Sequence, residues 1–182
     1  MKLIILSDTH LKTGEIPGQL QTLLEDCDLI VHAGDFSTVE AYRAFTASGK
    51  LKAVSGNDDS PELRKLLPER MKFEVEGVRI GVVHEAGLSV MDTTAQGYLA
   101  KEMEVDVLIF GHLHRPIIER KDVMLVCPGS PTKPRMSNPG VVELIIEKGS
   151  IEGRIITLEG DSCGYIKFRD ALKRQKEEEG HK

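Results

Sequence analysis

The stretch Val105–Pro116, VDVLIFGHLHRP, carries a run of mostly apolar, strand-forming residues into a glycine and then two histidines two positions apart. The run has the length and β-branched content of a buried strand, and its end delivers polar side chains at one edge. Four further runs share the pattern: KLIIL at 2–6, DLIVHAG at 28–34, LKAVSG at 51–56 and VRIGVVH at 78–84. Helix-like segments lie between them, at roughly 17–26, 38–48 and 92–103. The β-α-β-α alternation predicts a parallel sheet with right-handed crossovers.

After residue 115 the pattern changes. IIER, VMLVC, GVVELIIEKG and SIEGRIITLEG follow one another with turn signals between, which predicts hairpins in a largely antiparallel second sheet. MKFEVEGVRIGVVH at 71–84 is assigned to that second sheet as well. The expected fold class is α/β: two facing mixed sheets flanked by helices, a four-layer α-β-β-α sandwich. The main domain is expected over 1–160, with a C-terminal amphipathic helix and charged tail over 161–182.

A chain of 182 residues suits one well-buried domain. No apolar run approaches the ~18 residues of a membrane span, and MKLIILSDTH is too short in apolar length for a signal peptide. The expectation is a cytoplasmic protein with no membrane partner. Cys27, Cys127 and Cys163 form an odd set without CxxC spacing, which suits packing in a reducing compartment better than a disulfide framework. A net charge of -5 argues against extended nucleic acid as a partner.

The polar residues that end the five runs are Asp8 and His10, then Asp35, then Asn57, Asp58 and Asp59, then His84, and finally His112 and His114. In open α/β sheets, ligands bind beyond the carboxyl ends of the strands. In extended chain, residues i and i+2 share a side, so Asp8 with His10, and His112 with His114, can each present two ligands to one site. Gly34, Gly56 and Gly111 each precede a candidate ligand, where a permissive backbone helps. His32 reads as a core or supporting histidine, and His181 as solvated.

SDTH, HAGD, SGN, VVH and FGHLH, in this order, resemble the motif series of the calcineurin-like metallophosphoesterases over roughly residues 1–158. In size the chain resembles the small bacterial and archaeal phosphodiesterase branch, and PGSPTKPR at 128–135 resembles a turn of that branch. The resemblance implies two divalent metal ions. Asp8, His10 and His114 would hold one, Asn57, His84 and His112 the other, and Asp35 would bridge them. It implies that a metal-bridging hydroxide attacks a small phosphodiester, with Asp35, Asn57 and Asp58 in catalytic positions. Mixed nitrogen and oxygen ligands suit Mn, Ni, Co, Fe or Zn, and the resemblance favours manganese. Lys12, Arg115, Lys133 and Arg135 are candidate phosphate clamps. A binding or scaffold module on the same fold, a phosphomonoesterase and a nuclease are the alternatives, and homo-oligomerisation is left open.

Three positions depart from the family pattern. Many relatives carry His after the metal-binding Asn, where Asp58 stands here; an ordinary aspartate is ionised at pH 7 and gives no proton to a leaving group. Glu85 follows His84 where glycine is usual, either supporting the His84 ring or pointing to solvent. Cys127 precedes PGS where a small polar residue is usual, and inert packing is its expected role.

Overall fold

The computed structural model describes residues 1–87, 92–162 and 164–179. Strands β1 (Lys2–Leu6), β2 (Leu29–His32) and β3 (Leu51–Ala53) are parallel neighbours connected through helices α1 (Gly18–Glu25) and α2 (Val39–Thr46). Helix α3 (Pro61–Leu66) then leads to the antiparallel pair β4 (Arg70–Val75) and β5 (Val78–Val83). Helix α4 (Thr94–Glu102) precedes β6 (Val107–Phe110), β7 (Pro116–Arg120) and β8 (Met124–Pro128). The hairpin β9 (Gly140–Glu147) and β10 (Ser150–Thr157) is followed by helix α5 (Gly164–Glu179).

These strands form two five-stranded sheets, ordered β10-β9-β1-β2-β3 and β4-β5-β6-β8-β7. Both are mixed: β9 joins the parallel β1, β2 and β3 antiparallel, and β4 and β7 join the parallel β5, β6 and β8 antiparallel at the two edges. The sheets pack face to face: Leu3, Ile5, Val31, Val142 and Leu144 of one meet Ile80, Val82, Val107, Ile109 and Val126 of the other. On the outer face of the first sheet, Leu20, Leu24, Phe45 and Leu63 of the helices cover Ile4, Leu6 and Ile30. On the outer face of the second, Ala100 of α4 packs with Leu108, Phe110 and Leu125. Strands β1 and β6 are therefore buried on both sides, which is why their sequences are continuous apolar runs rather than alternating ones.

The four-layer α/β architecture is the expected one, but the strands are distributed differently. The runs after residue 115 do not form one antiparallel sheet: β7 and β8 join β5 and β6, whereas β9 and β10 cross back to β1. Apolar periodicity gives a strand and its faces but carries no record of which distant strand it pairs with. Helix α3 was absent from the sequence expectation. Its start is nonetheless written in SPE: Ser60 accepts from the backbone N–H of Leu63, Pro61 occupies the first turn, and Glu62 follows. Two hairpin turns, Glu76–Gly77 and Lys148–Gly149, have positive φ at both residues, as tight two-residue connections require.

Ile109 is fully buried between the sheets, whereas Ile155 on β10 is 46% exposed. Ile109→Ala is expected to cost about 2–5 kcal/mol in urea unfolding, and Ile155→Ala to stay within about 0.5 kcal/mol.

Candidate metal centre

The loops after β1, β2, β3, β5 and β6 converge at one end of the two sheets. Backbone hydrogen bonds stitch the first two together, from Asp8 N–H to the Gly34 carbonyl (2.9 Å) and from His10 N–H to the Asp35 carbonyl (3.0 Å). The loop after β6 is tied in by His112 N–H, which donates to Asp8 Oδ2 at 3.0 Å. This convergence leaves no room for a Cβ at two glycines. One on Gly111 would stand 2.0 Å from Ser7 Oγ, and one on Gly56 would stand 2.1 Å from Asp35 Oδ1. Close approach, rather than positive φ, is the reason for glycine at these two positions.

The candidate ligands do not come together through extended chain. Asp8, His10, Asp35, His112 and His114 all have positive φ, between 43° and 70°. Each of these loops curls through left-handed backbone, so adjoining side chains are aimed by the turn rather than by strand alternation. Asp and His tolerate this region better than branched residues do, yet five such positions in one site represent stored strain.

Asp8 is fully buried, and its Oδ1 has no hydrogen-bond partner. His114 Nε2 lies 3.1 Å from that oxygen and His10 Nε2 4.0 Å from it. Asp35 Oδ2 lies 3.6 Å from His10 Nε2 and 3.3 Å from His84 Nε2, so one carboxylate oxygen reaches toward both halves of the site. Its other oxygen is fixed, accepting from Asp58 N–H at 2.8 Å. Asn57 Oδ1 lies 3.0 Å from His84 Nε2 and 2.9 Å from His112 Nδ1.

Three of the four histidines are held by their remote nitrogen. His84 Nδ1 donates to the Ala33 carbonyl (2.7 Å), His114 Nδ1 to the Lys133 carbonyl (2.6 Å) and His10 Nδ1 to Asp58 Oδ2 (2.8 Å). Such partners fix ring orientation and tautomer and leave Nε2 for a ligand. Burial disfavours a charged His84, but the Asp35 carboxylate outweighs it and pushes the imidazole up to about 9. Burial also acts to raise Asp35, while the hydrogen bond and charge of His84 hold its carboxyl below the usual range. A proton on His84 thus answers the same buried negative charge that a cation would answer.

The profile described as "Calcineurin-like phosphoesterase superfamily domain" matches residues 1–149. The chain belongs to this superfamily. A probable metallophosphoesterase of Methanothermobacter thermautotrophicus is 34% identical over 168 residues, spanning 91% of this chain and 97% of that one. Phosphodiesterase MJ0936 of Methanocaldococcus jannaschii is 24% identical over 143 residues, spanning 71% and 83%. Among solved structures, Vps29 of Chaetomium thermophilum superposes with a TM-score of 0.76 at 21% identity, covering 88% of this chain and 90% of that one, which is a likeness of fold.

The residues of this chain fit a pair of divalent ions. Two groups, Asp8 with His10 and His114, and Asp8 with Asp35 and His84, each bring donor atoms within 4.8 Å of one another. The orphaned Asp8 Oδ1 is the atom that an ion would satisfy. Five of the seven residues expected as ligands fall in these two groups, and Asn57 and His112 lie beside the second, Asn57 against both His84 and His112, while His114 is on the Asp8 and His10 side. Asp58 is placed against His10 Nδ1 and Ser37 Oγ. Glu85 does not support His84, whose Nδ1 is taken by Ala33; its Oε1 is 3.7 Å from His112 Nδ1 instead. His32 is buried, stacks on Phe36 at 3.6 Å and meets Thr9 Oγ1 at 3.0 Å.

Cys127 is fully buried in β8, where burial pushes its thiol up to about 12, so it is a packing residue behind the site. Cys163 and His181 lie outside the described residues. Lys133 and Arg135 are held beside His114, the Lys133 carbonyl accepting from His114 Nδ1 and the Arg135 N–H donating to the His114 carbonyl, and both are exposed.

Two supports carry more than their sequence suggested. Asp59 is buried and accepts from the backbone N–H groups of Asp35 (3.2 Å), Ser37 (2.8 Å) and Gly56 (2.8 Å), clamping the loops that carry Asp35 and Asn57. Ser130 Oγ donates to the Asp8 carbonyl (2.7 Å) and accepts from Lys133 N–H (2.7 Å), pinning the 128–135 turn under the first loop. Their signal in the sequence was adjacency alone, since Asp59 closes GNDD and Ser130 sits in PGSPTKPR.

Removing the Asp59 carboxylate strands two buried donors, the Asp35 and Gly56 N–H groups, and the part-buried Ser37 N–H; each buried one costs about 1–3 kcal/mol when left unpaired. Asp59→Ala is expected to lower the urea midpoint markedly and to weaken divalent-ion binding in calorimetric titration. Unchanged ion binding in that variant would show that the clamp does not order the site.

Proposed function

We propose that the protein is a two-metal phosphodiesterase acting on small phosphodiesters. The observation that carries this reading is the pairing of a buried, unpartnered Asp8 oxygen with a single Asp35 oxygen reaching histidines on both sides. Asp8, His10 and His114 would hold one ion and Asn57, His84 and His112 the other, with Asp35 between. Two divalent ions, when bound, supply Lewis-acid polarisation of the phosphate and a water activated near neutral pH.

The chain's own residues do the positioning. Asp8 and Asp35 supply the negative charge that holds cations in a buried place, and the Ala33 and Lys133 carbonyls and Asp58 orient the imidazoles. Asp58 is occupied with His10, so a leaving group receives no proton from a histidine at this position, which favours esters with good leaving groups. The relative named phosphodiesterase MJ0936 supports the diester preference. Exposed Lys133 and Arg135 beside His114 supply positive charge at the mouth. Manganese is the proposed ion, on the family resemblance; the mixed oxygen and imidazole donor set suits it along with Ni, Co, Fe and Zn. The buried, unpaired thiols of Cys27 and Cys127 accord with a cytoplasmic setting.

The test is hydrolysis of bis(p-nitrophenyl) phosphate and p-nitrophenyl phosphate by metal-stripped protein, with Mn, Ni, Co, Zn or Mg restored singly. Diester cleavage that returns with metal and exceeds monoester cleavage is expected. Two bound ions without turnover would overturn the reading. Asp35→Asn should reduce both metal content and diester turnover by at least ~100-fold, measured by elemental analysis and initial rates.

A further inference from the structure

Among the described residues, Glu85 stands at the mouth of the site in a position that the seven-ligand set leaves without a purpose. Its carboxylate is 53% exposed, yet Oε1 lies 3.7 Å from His112 Nδ1. One terminal atom of the Asn57 amide is a shared neighbour: it lies 2.9 Å from His112 Nδ1, 3.0 Å from His84 Nε2 and 3.2 Å from Glu85 Oε1. An ion accepts electron pairs from all of them, with the amide oxygen turned inward as a fourth. Ligands about 2.0–2.2 Å from an ion stand about 3–3.5 Å from one another; the three spacings from the Asn57 atom match this, and the 3.7 Å from Glu85 to His112 is longer, so the Glu85 side chain has to swing inward to bind.

We infer that Glu85 is a further ligand of the second ion, completing with Asp35, Asn57, His84 and His112 a set of three oxygens and two nitrogens. This rests on the two-metal reading proposed above and deepens it. The chemistry follows from the donor count. The first site, with Asp8, Asp35, His10 and His114, has two oxygens and two nitrogens, so Glu85 brings the second site to the same carboxylate charge and, with the Asn57 carbonyl, to one more hard oxygen donor. Carboxylate-rich sites suit Mn and Mg, whereas imidazole-rich sites suit Zn, Ni and Cu. The two positions are therefore expected to differ in their order of preference for ions. The partial exposure of Glu85 is what a ligand at the solvent edge of a site requires, since its side chain has room to close the remaining distance.

Calorimetric titration of the metal-free protein with Mn tests this directly. Wild-type protein is expected to take up two Mn ions with distinct affinities. Glu85→Gln should keep one affinity and weaken the other by about tenfold or more, Glu85→Asp should fall between, and Glu69→Gln, which removes an exposed carboxylate from the same cleft, should match wild type. The melting temperature of the metal-free variants, with Glu85 at the surface, should stay near that of wild type. Two unaltered affinities in Glu85→Gln would overturn the ligand assignment while leaving the two-metal reading in place. An equal loss in Glu69→Gln would also overturn it, by showing that only net charge matters. Fewer than two Mn ions in the wild type would overturn both.

Discussion

Two carboxylates, those of Asp8 and Asp35, lie buried where the strand ends of two sheets meet. A buried charge must be compensated or neutralised, and the arrangement of the surrounding loops follows from that requirement. Four imidazoles and an amide are gathered around the two acids, and most of their remote atoms are occupied by backbone carbonyls or a third carboxylate. The loops that bring them there run through left-handed backbone and past glycines with no space for a side chain. Such a site is held open against its own strain by packing beneath it. The apolar layer between the sheets and the clamps from Asp59 and Ser130 form that support.

Much of this could be read from the chain. The apolar runs at 2–6, 28–34, 51–56, 78–84 and 105–110 all contain strands, and the side chains that end them form the site. Alternation of strands and helices gives the α/β class because period and punctuation are local properties. The division of β7 to β10 between two sheets was not legible, since a strand's sequence records how it is buried and not whom it pairs with. Helix α3 was written in its cap but is only six residues long, too short to show a period.

Within the site, residue identity was readable and mechanism of placement was not. The i, i+2 spacing of Asp8 with His10 and of His112 with His114 suggested shared faces of extended chain. The backbone instead turns left-handed at all four, which no pairwise spacing reveals. Asp58 and Glu85 stood out as departures, but what each touches depends on loops 48 and 27 positions away in the chain, through His10 and His112 respectively. Asp59 illustrates the converse: its acidity drew notice, and its work is done through three backbone N–H groups that sequence does not display.

The donor atoms are divided between the sheets: Asp8, His10, Asp35 and Asn57 follow strands of one, His84, His112 and His114 strands of the other. An ion bound among them is a rivet across the sandwich, and the unfolded chain has no equivalent of it. By mass action, a free ion at a hundred times its dissociation constant would add about 2.7 kcal/mol to folding stability, a sizeable part of what holds a domain of this size together. The unfolded fraction of the chain would then rise about a hundredfold on losing such an ion, so that the local supply of ions would set how much of the protein is open to degradation.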